Sequence, residues 1–319
     1  MKRASRVHPT GVMIVPQDMD VHFFTPLQYP NGQYPEDKDH NVIMTHYDYR
    51  SLHSLIMLNL LGNDDLTIVK MLHDLSNCDP STIPFDDPQT LSLFHSTEAL
   101  GVSPEELGTK SGAFGISEYQ MCYARPIIDE TPPTCFSDLI RIFGLSHGSH
   151  AIVCIMMAFR IAYYKVHYPL AFYAAYFTLH ADTFDVNIVA AGKEAVREKL
   201  KEMEAEVKRD VEQKKQIYVL QIAWEMYLRG FSMEPIDLYR SGAKKYILLE
   251  KSLLPPFTAL QGLGTHAAYA IVSARKKGQF SSIADIKKKT SALSKNDVEL
   301  LRNHGCFDGM DESEQMELF

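Results

Sequence analysis

A glycine-containing turn in the last quarter of the chain has the residue types that a phosphate-binding loop needs. Residues 256–275 read PFTALQGLGTHAAYAIVSAR, with a Gly-Leu-Gly turn between two apolar stretches of helical character. Gly262 and Gly264 have no side chain that would hold a phosphate away from the backbone amides. Thr265 is the predicted cap of the second helix, whose free amides and dipole favour an anion. The pattern predicts a helix-hairpin-helix that binds the phosphates of a nucleic acid.

Cations directly after this segment favour the same chemistry. Arg275, Lys276 and Lys277 follow the second apolar stretch. Contacts to phosphates position a duplex without reading its bases, so we expect DNA binding that is independent of sequence and weakens with salt. The alternative is a glycine turn that serves only to pack two helices together.

The final five residues, QMELF, have the composition of a docking peptide. They follow an acidic stretch, DGMDESE, whose apolar content is too low for it to fold by itself. Gln315, Leu318 and Phe319 have the spacing of the short peptides that attach replication proteins to a sliding clamp, with the two apolar side chains as anchors. The tail therefore predicts a clamp-binding peptide on a tether.

Two further groups of side chains could bind a metal or a phosphate. His147 and His150, in SHGSH, could form a metal pair or a nucleotide clamp, and a capped turn with ordinary histidines explains them equally well. Arg160 and Lys165 lie on one side of an otherwise apolar helix and could bind phosphates. Their alternative is a pair at the edge of a core whose charged ends reach the solvent. The acidic pairs at 64–65 and 86–87 are placed as helix caps, so no metal site is predicted there.

The charge distribution is compatible with a local nucleic-acid surface. The 319 residues have a formal net charge of −8, and residues 1–100 contain six basic and thirteen acidic residues. Residues 240–302, by contrast, contain twelve basic and four acidic residues. A basic surface near the carboxy end is what phosphate binding requires, whatever the total charge.

The elements that must position these groups are mostly helices. The apolar run at 11–16 predicts a strand, and the run at 55–61 precedes a helix capped by Asp65. Residues 76–148 predict short helices joined by Pro and Gly turns, with Asp86 or Asp87 as the cap of one and Ser103 at the start of another. Residues 151–179 predict two buried helices, because charged residues and a proline interrupt the run before it could span a membrane. Residues 193–228 predict one long amphipathic helix. The expected fold class is mainly α, with a small α+β part at the N-terminus and a helix-hairpin-helix module near the C-terminus.

The cysteines and the first residues indicate a reducing compartment. Five cysteines occur singly and without paired spacing, so neither a disulfide framework nor a zinc site is predicted. The start, MKRASRVHPTG, has no apolar run behind its basic residues and predicts no secretory signal. We expect a protein of the cytoplasm.

Short segments in order along the chain resemble PolC-type bacterial DNA polymerase III alpha subunits. The matching segments are HPTGVMIVP, THYDYRSLHS, LLGNDD, FGISE, GLSHG, residues 160–174 and the tail. By this resemblance, residues 1–65 correspond to the end of the palm and residues 66–185 to the fingers. Residues 186–310 correspond to a long helix and a duplex-binding region with its helix-hairpin-helix at 253–277, and residues 311–319 to the clamp-binding tail.

The resemblance implies a part in template-directed addition of dNTPs during DNA replication. In that reaction the primer hydroxyl attacks the α-phosphate of the nucleotide between Mg²⁺ ions that carboxylates hold. The implied partners are primer-template duplex, dNTP and a sliding clamp, and no membrane. The residues that the resemblance assigns to the incoming nucleotide and template are Arg125, Ser146, His147, Gly148, His150, Arg160 and Lys165.

The chain departs from the family's pattern in its catalytic parts. Two palm aspartates of the family lie upstream of anything in this chain, and Asn59 stands at the position of a third. We therefore expect no intact catalytic residue and no tight Mg²⁺ binding. The family also places some tens of residues between segments that are adjacent here, which predicts an internal deletion near residues 148–150.

Three functions follow from these observations. The first is part of a replicative DNA polymerase, a nucleotidyltransferase, whose isolated chain is not catalytic. The second is a non-enzymatic module that binds DNA and a clamp. The third and weakest is a metal-dependent hydrolase built on the histidines.

Overall fold

The computed structural model describes residues 11–29, 43–59, 64–120, 124–147, 151–206, 208–290 and 293–313. Helices predominate in these residues and the β-strands are short, as the sequence predicts. The chain divides into two compact units, Met1–Asn63 and Asp64–Phe319. The finer division of the second unit at residues 185 and 310 stays a prediction.

The first unit contains two small antiparallel ribbons. Strand β1 (Gly11–Ile14) pairs with β4 (Ile56–Asn59), and β2 (Leu27–Gln28) pairs with β3 (Met44–Thr45). The predicted strand at 11–16 is therefore present, and it ends at Ile14. Cross-strand pairing places Val12 opposite Leu58 and Ile14 opposite Ile56, and these four side chains are exposed.

The second unit begins with helices that the sequence predicted as short pieces joined by turns. Asp87 caps its helix with a hydrogen bond from the amide of Thr90 at 2.8 Å, and Ser103 caps the next in the same way. Asp65, predicted as a cap, lies instead inside the first turn of its helix, where it is buried and accepts a hydrogen bond from Ser117. These helices are α1 (Asp64–Ser76), α2 (Pro88–Leu93), α3 (Pro104–Leu107), α4 (Ala124–Glu130) and α5 (Phe136–His147).

Two apolar helices form the centre of this unit's core. The predicted pair is present as α6 (Ala151–His167) and α7 (Pro169–Leu179). Pro169 occupies the first turn of α7, where its missing N–H costs nothing. Aromatic side chains from both helices are buried, including Phe159, Tyr164, Phe172 and Phe177. None of the helices in the described part of the chain is long and apolar enough to cross a membrane.

The long helix predicted over residues 193–228 is wrong, because the structure has two helices there. After α8 (Val186–Ala190), helix α9 (Lys193–Ala205) ends and α10 (Val211–Leu228) begins with a new cap. Asp210 accepts a hydrogen bond from the amide of Gln213, whose side chain accepts one from the amide of Asp210. This capping box starts a helix irrespective of the apolar periodicity that runs through it.

The carboxy-terminal part combines a three-stranded sheet with three helices. Strand β7 (Ser252–Leu254) lies between β5 (Ser232–Met233), to which it is parallel, and β6 (Ile247–Leu248), to which it is antiparallel. The helices are α11 (Thr265–Arg275), α12 (Ile283–Lys289) and α13 (Lys295–Asn303). The first helix expected in the hairpin is wrong: β7 and a single 3-10 turn, Phe257–Ala259, stand in its place. Pro255 and Pro256 explain the difference, because proline cannot donate within a helix.

Candidate nucleic-acid interface

The glycine turn before α11 is a tight hairpin fixed by its own backbone. The amide of Leu263 donates to the carbonyl of Leu260 at 3.0 Å, and Leu263 itself is buried. Gly262 has a φ of +92°, in the region that favours glycine. A Cβ at this residue would also lie 3.1 Å from Cδ1 of Leu300 on α13. Gly262 is therefore favoured by its backbone conformation and by its close packing against α13.

The N-terminus of α11 is open to solvent and has no side-chain cap. Gly264 is the N-cap residue, so the prediction that Thr265 caps this helix is wrong. Helices α10, α12 and α13 each begin with an Asp or Ser whose side chain accepts from the first turn. A Cβ at Gly264 would meet no heavy atom within 4 Å. The first amides of α11 thus face a space that an anion can enter, with the helix dipole directed toward it.

A glutamine side chain holds the hairpin against the turn that follows α7. Nε2 of Gln261 donates to the carbonyls of Asp182 at 3.2 Å and Phe184 at 3.0 Å. Nothing in the local sequence pattern singled out Gln261, since its acceptors are almost eighty residues away along the chain. This tether fixes the direction in which the N-terminus of α11 points.

The predicted cations lie at the far end of α11. Arg275 is the last residue of an 11-residue helix, about 16 Å from the hairpin at 1.5 Å per residue. Its guanidinium donates to the carbonyl of Leu238 at 3.0 Å, and burial lowers its pKa. Lys276 and Lys277 are exposed next to it. These three residues therefore lie away from the hairpin turn, and their contact with DNA stays a prediction.

A groove beside the hairpin contains a cation that the sequence patterns did not indicate. It has a volume of about 570 Å³ and lies between the end of α7 and the hairpin, with Gly262 and Thr265 in its lining. Lys244, from the loop that follows Ser241, lines it as well. The sequence shows only a Lys-Lys pair in a basic stretch, without any spacing that relates it to the glycines.

Lys165, predicted to contact the nucleotide, is completely buried in this structure. Its Nζ donates to the carbonyls of Gly112 at 2.7 Å and Phe114 at 2.5 Å, and to the carboxylate of Glu225 at 2.8 Å. Three acceptors use the three donors of an ammonium group. As placed here, Lys165 has no donor left for a phosphate, and the alternative of a charged end that reaches solvent is also wrong.

The same carboxylate joins α7 and α10 through a second set of contacts. The hydroxyl of Tyr173 donates to Oε1 of Glu225 at 2.8 Å, and Arg229 donates to that hydroxyl at 3.1 Å. Burial lowers the pKa of Lys165 to about 8, against the attraction of Glu225. Burial also raises the pKa of Tyr173 well above its usual value. The cluster is a closed polar network inside the core.

Arg160, the other cation predicted on α6, is half-buried. Its guanidinium lies 5.6 Å from the ring centroid of Phe85, in cation–π geometry, and its Nη1 lies 4.0 Å from the sulfur of Met157. Its Nε is buried and has no hydrogen-bond partner among the described residues. Arg160 thus retains polar capacity that Lys165 does not.

The remaining predicted nucleotide contacts cannot be placed as side chains. Arg125, Ser146 and His147 belong to α4 and α5, and only their backbone is described. Gly148 and His150 lie outside the described residues. Their roles stay predictions.

The same holds for the catalytic and clamp positions. Asn59 is the last residue of β4, and its side chain is not described. Gln315, Leu318 and Phe319 lie outside the described residues. Among the described residues, no group of three His, Cys, Asp or Glu side chains could hold a metal ion.

Two family models match separate parts of the chain. The bacterial DNA polymerase III alpha subunit finger domain matches residues 65–154, and the helix-hairpin-helix motif matches residues 230–316. The second match contains the hairpin, α11 and the groove-lining Lys244. Fingers followed by a helix-hairpin-helix region place the chain in the class of bacterial DNA polymerase III alpha subunits.

Full-length similarity narrows this class to one type. DNA polymerase III PolC-type from Caldanaerobacter subterraneus subsp. tengcongensis is 37% identical to this chain. The alignment covers all of this chain and 29% of the length of the relative. The corresponding proteins of Thermotoga maritima and Clostridium perfringens are 36% and 35% identical across all of this chain and 29% and 28% of their own lengths. The chain is thus a relative of PolC-type DNA polymerase III over its whole length, which confirms the resemblance seen in the short segments.

The comparison also shows how much of the relatives this chain lacks. It spans less than a third of the length of the curated relatives it matches. The alignment with the Caldanaerobacter protein runs over 407 positions, so 88 of them have no residue among the 319 of this chain. Residues present in the relative are therefore missing from within the aligned span.

Proposed function

We propose that this chain is the part of a PolC-type replicative DNA polymerase that holds the primer-template duplex. The observation that carries the proposal is the uncapped N-terminus of α11 at Gly264, inside the helix-hairpin-helix region. Its amides bind a phosphate of the DNA backbone without contact to a base. Binding is therefore independent of base sequence, and each phosphate contact releases counterions.

The tail docks the chain on a bacterial sliding clamp. Gln315, Leu318 and Phe319 are its contacts. The acidic stretch before them is not a free tether, because the amides of Ile283 and Ala284 donate to the carbonyls of Asp311 and Glu312 at 3.0 Å. The prediction that this stretch does not fold is therefore wrong for residues 308–312. A clamp encircling the same duplex raises the effective concentration of DNA at the hairpin. Duplex binding and clamp binding thus support one another in the bacterial cytoplasm, where replication takes place.

The finger residues contribute contacts to the incoming dNTP and template. Arg125, Ser146, His147, Gly148 and His150 are the proposed contacts, together with Arg160, whose half-buried guanidinium has an unused Nε. The contacts of Lys165 support a different role for that residue, namely fixing the 112–114 segment to α10.

The isolated chain does not catalyse nucleotide addition. Mg²⁺-dependent transfer requires carboxylates that hold the metal ions, and Asn59 supplies no charge at the third position of the family's pattern. We place the residues that are missing from the aligned span near residues 148–150, before the start of α6, as the resemblance to the family implies. Ile152 and Val153 are 50% and 63% exposed there, which is consistent with removal of residues that would cover them.

A non-enzymatic module for DNA and clamp binding is the second candidate function. The same two features, the hairpin and the tail, support it. The chain covers less than a third of the length of its relatives, which favours this function for the isolated chain. The two functions differ only in whether an added polymerase part restores nucleotide transfer.

The direct test is fluorescence anisotropy of a labelled primer-template duplex titrated with the full chain at several salt concentrations. We expect saturable binding. The logarithm of the association constant should fall linearly with the logarithm of the salt concentration. Duplexes of unrelated sequence should bind equally well. Absence of binding at low salt, with a folded chain by circular dichroism, would contradict the proposed function.

A further inference from the structure

The loop at residues 241–245 is fixed beside the hairpin by backbone hydrogen bonds. The amide of Phe257 donates to the carbonyl of Gly242 at 2.9 Å, and the amide of Thr258 donates to the carbonyl of Ala243 at 3.1 Å. A Cβ on Gly242 would lie 2.9 Å from the carbonyl oxygen of Lys245, so the loop is tight. The position of Lys244 is thereby tied to the segment that enters the hairpin.

Lys244 presents an unneutralised charge in the groove. It is exposed and forms no ion pair with any described residue. Other cations of the same region are paired: Lys289 contacts Asp285 at 2.7 Å, and Arg240 contacts Glu234 at 3.0 Å. An unpaired ammonium in a concave, solvent-filled space attracts an anion more strongly than the same group on a convex surface.

We propose that the groove lined by Lys244, Thr258, Gly262 and Thr265 is a second phosphate site on the same DNA strand that the hairpin amides hold. Lys244 is its cation, and the two threonine hydroxyls can donate to the phosphate oxygens. This inference rests on the proposed binding of duplex DNA at the hairpin and extends it to a specific side chain.

Spacing along DNA explains why Lys244, and not the end of α11, serves this site. Phosphates of one strand follow each other about every 3.4 Å along the helix axis. Lys276 lies one residue beyond α11, about 16 Å from the hairpin, which corresponds to roughly five phosphates. A cation in the hairpin's own groove can therefore reach the neighbouring phosphate, whereas Lys276 cannot.

The lining of the groove also contains a carboxylate that weakens the site. Asp182 lines the groove and is exposed, and Oδ1 accepts a hydrogen bond from the hydroxyl of Thr183 at 3.2 Å. Gln261 is bonded to the main-chain carbonyl of Asp182, so a change in the side chain leaves the hairpin tether in place. If the groove binds phosphate, removing this negative charge must increase DNA affinity. Removing the positive charge of Lys244 must decrease it.

The test compares single charge changes in the full chain by anisotropy with a labelled primer-template duplex. Lys244→Gln should weaken binding about tenfold and lower the slope of log affinity against log salt by about one. Asp182→Asn should strengthen binding about threefold, since it removes one repulsive charge from the groove. Lys214→Gln on α10, outside residues 230–316, is the matched control and should match the unchanged chain.

The outcomes separate the groove from the hairpin. Equal losses for Lys244→Gln and Lys276→Gln, or a weaker Asp182→Asn, would overturn the groove site while DNA binding at the hairpin stands. A chain that is folded and binds no duplex would overturn both.

Discussion

Lys165 and Glu225 form an ion pair at 2.8 Å with both side chains completely excluded from solvent. The pair connects α6 to α10, and the carbonyls of Gly112 and Phe114 complete the coordination of the ammonium. A buried charge that loses its partner remains desolvated without compensation, which is far more costly than loss of a surface pair. This relationship makes the core of the second unit sensitive to single changes at either residue.

Lys165→Met should lower the free energy of unfolding by about 3–5 kcal/mol, because Glu225 is left buried and unpaired. Glu225→Gln should also lower the free energy of unfolding. The loss in the double variant should be clearly smaller than the sum of the losses in the two single variants. Urea denaturation followed by circular dichroism measures all three, with Lys245→Met as an exposed control. A Lys165→Met chain of unchanged stability but weaker dNTP binding would instead support the nucleotide contact predicted from the sequence.

The stability of the chain should depend on pH through His304. Nε2 of this ring accepts from the amide of Ile236 at 2.8 Å, and Nδ1 is paired with Asn187. Burial lowers the pKa of His304, so the folded state requires the neutral ring. Its stabilising contribution is complete above pH about 6.5 and is lost as the pH falls through the lower pKa of the folded state.

The measurement is the melting temperature between pH 7.5 and pH 5 for the unchanged chain and for His304→Gln. The variant should be less stable at the higher pH and should show a smaller further loss at the lower pH. His95→Gln, at an exposed histidine, should keep the pH dependence of the unchanged chain. Identical pH dependence in all three chains would exclude His304 as the source.

Gly264→Asp should separate helix stability from DNA binding. Aspartate is a better N-cap than glycine by a few tenths of a kcal/mol, and the space beside Gly264 is open, so the fold should tolerate it. The carboxylate would occupy the amides of α11 and repel phosphate, which should lower duplex affinity more than tenfold. Gly264→Ser, which caps without charge, should give a smaller loss in the same anisotropy titration. Unaltered affinity in both variants would place the DNA contacts elsewhere.

Removal of residues 315–319 should abolish binding to a bacterial sliding clamp and leave duplex affinity unchanged. Leu318 and Phe319 are the proposed anchors, so their joint replacement by alanine should have nearly the effect of the deletion. Surface plasmon resonance with immobilised clamp measures the first quantity, and anisotropy with duplex the second. Clamp binding that survives the deletion would show that the docking site lies elsewhere in the chain.

Primer extension should be absent when the chain is supplied with primer-template, dNTPs and Mg²⁺. Asn59→Asp should not restore it, because one carboxylate does not replace the metal-holding set of the family's pattern. A complete PolC-type polymerase in the same assay provides the positive control. Extension by the chain alone would contradict the proposal that it is not catalytic.

The sequence determined the class of this protein and many of its elements, because both depend on local information. Apolar runs of the right length gave α6 and α7, and Asp87 and Ser103 begin their helices where the capping pattern placed them. Apolar periodicity alone could not reveal the break between α9 and α10, since the stripe continues through a capping box. The same limit applies to the hairpin, where two prolines replaced an expected helix by a strand and a turn.

Only the tertiary structure decided which charges are buried and which share a groove. Lys165 has the same local appearance as Arg160, yet it meets Glu225 sixty residues away and loses all contact with water. Lys244 has no sequence relation to Gly262, yet backbone hydrogen bonds bring its loop to the hairpin. Burial and long-range pairing depend on how distant elements pack, and the residues next to a side chain in the sequence do not specify that packing.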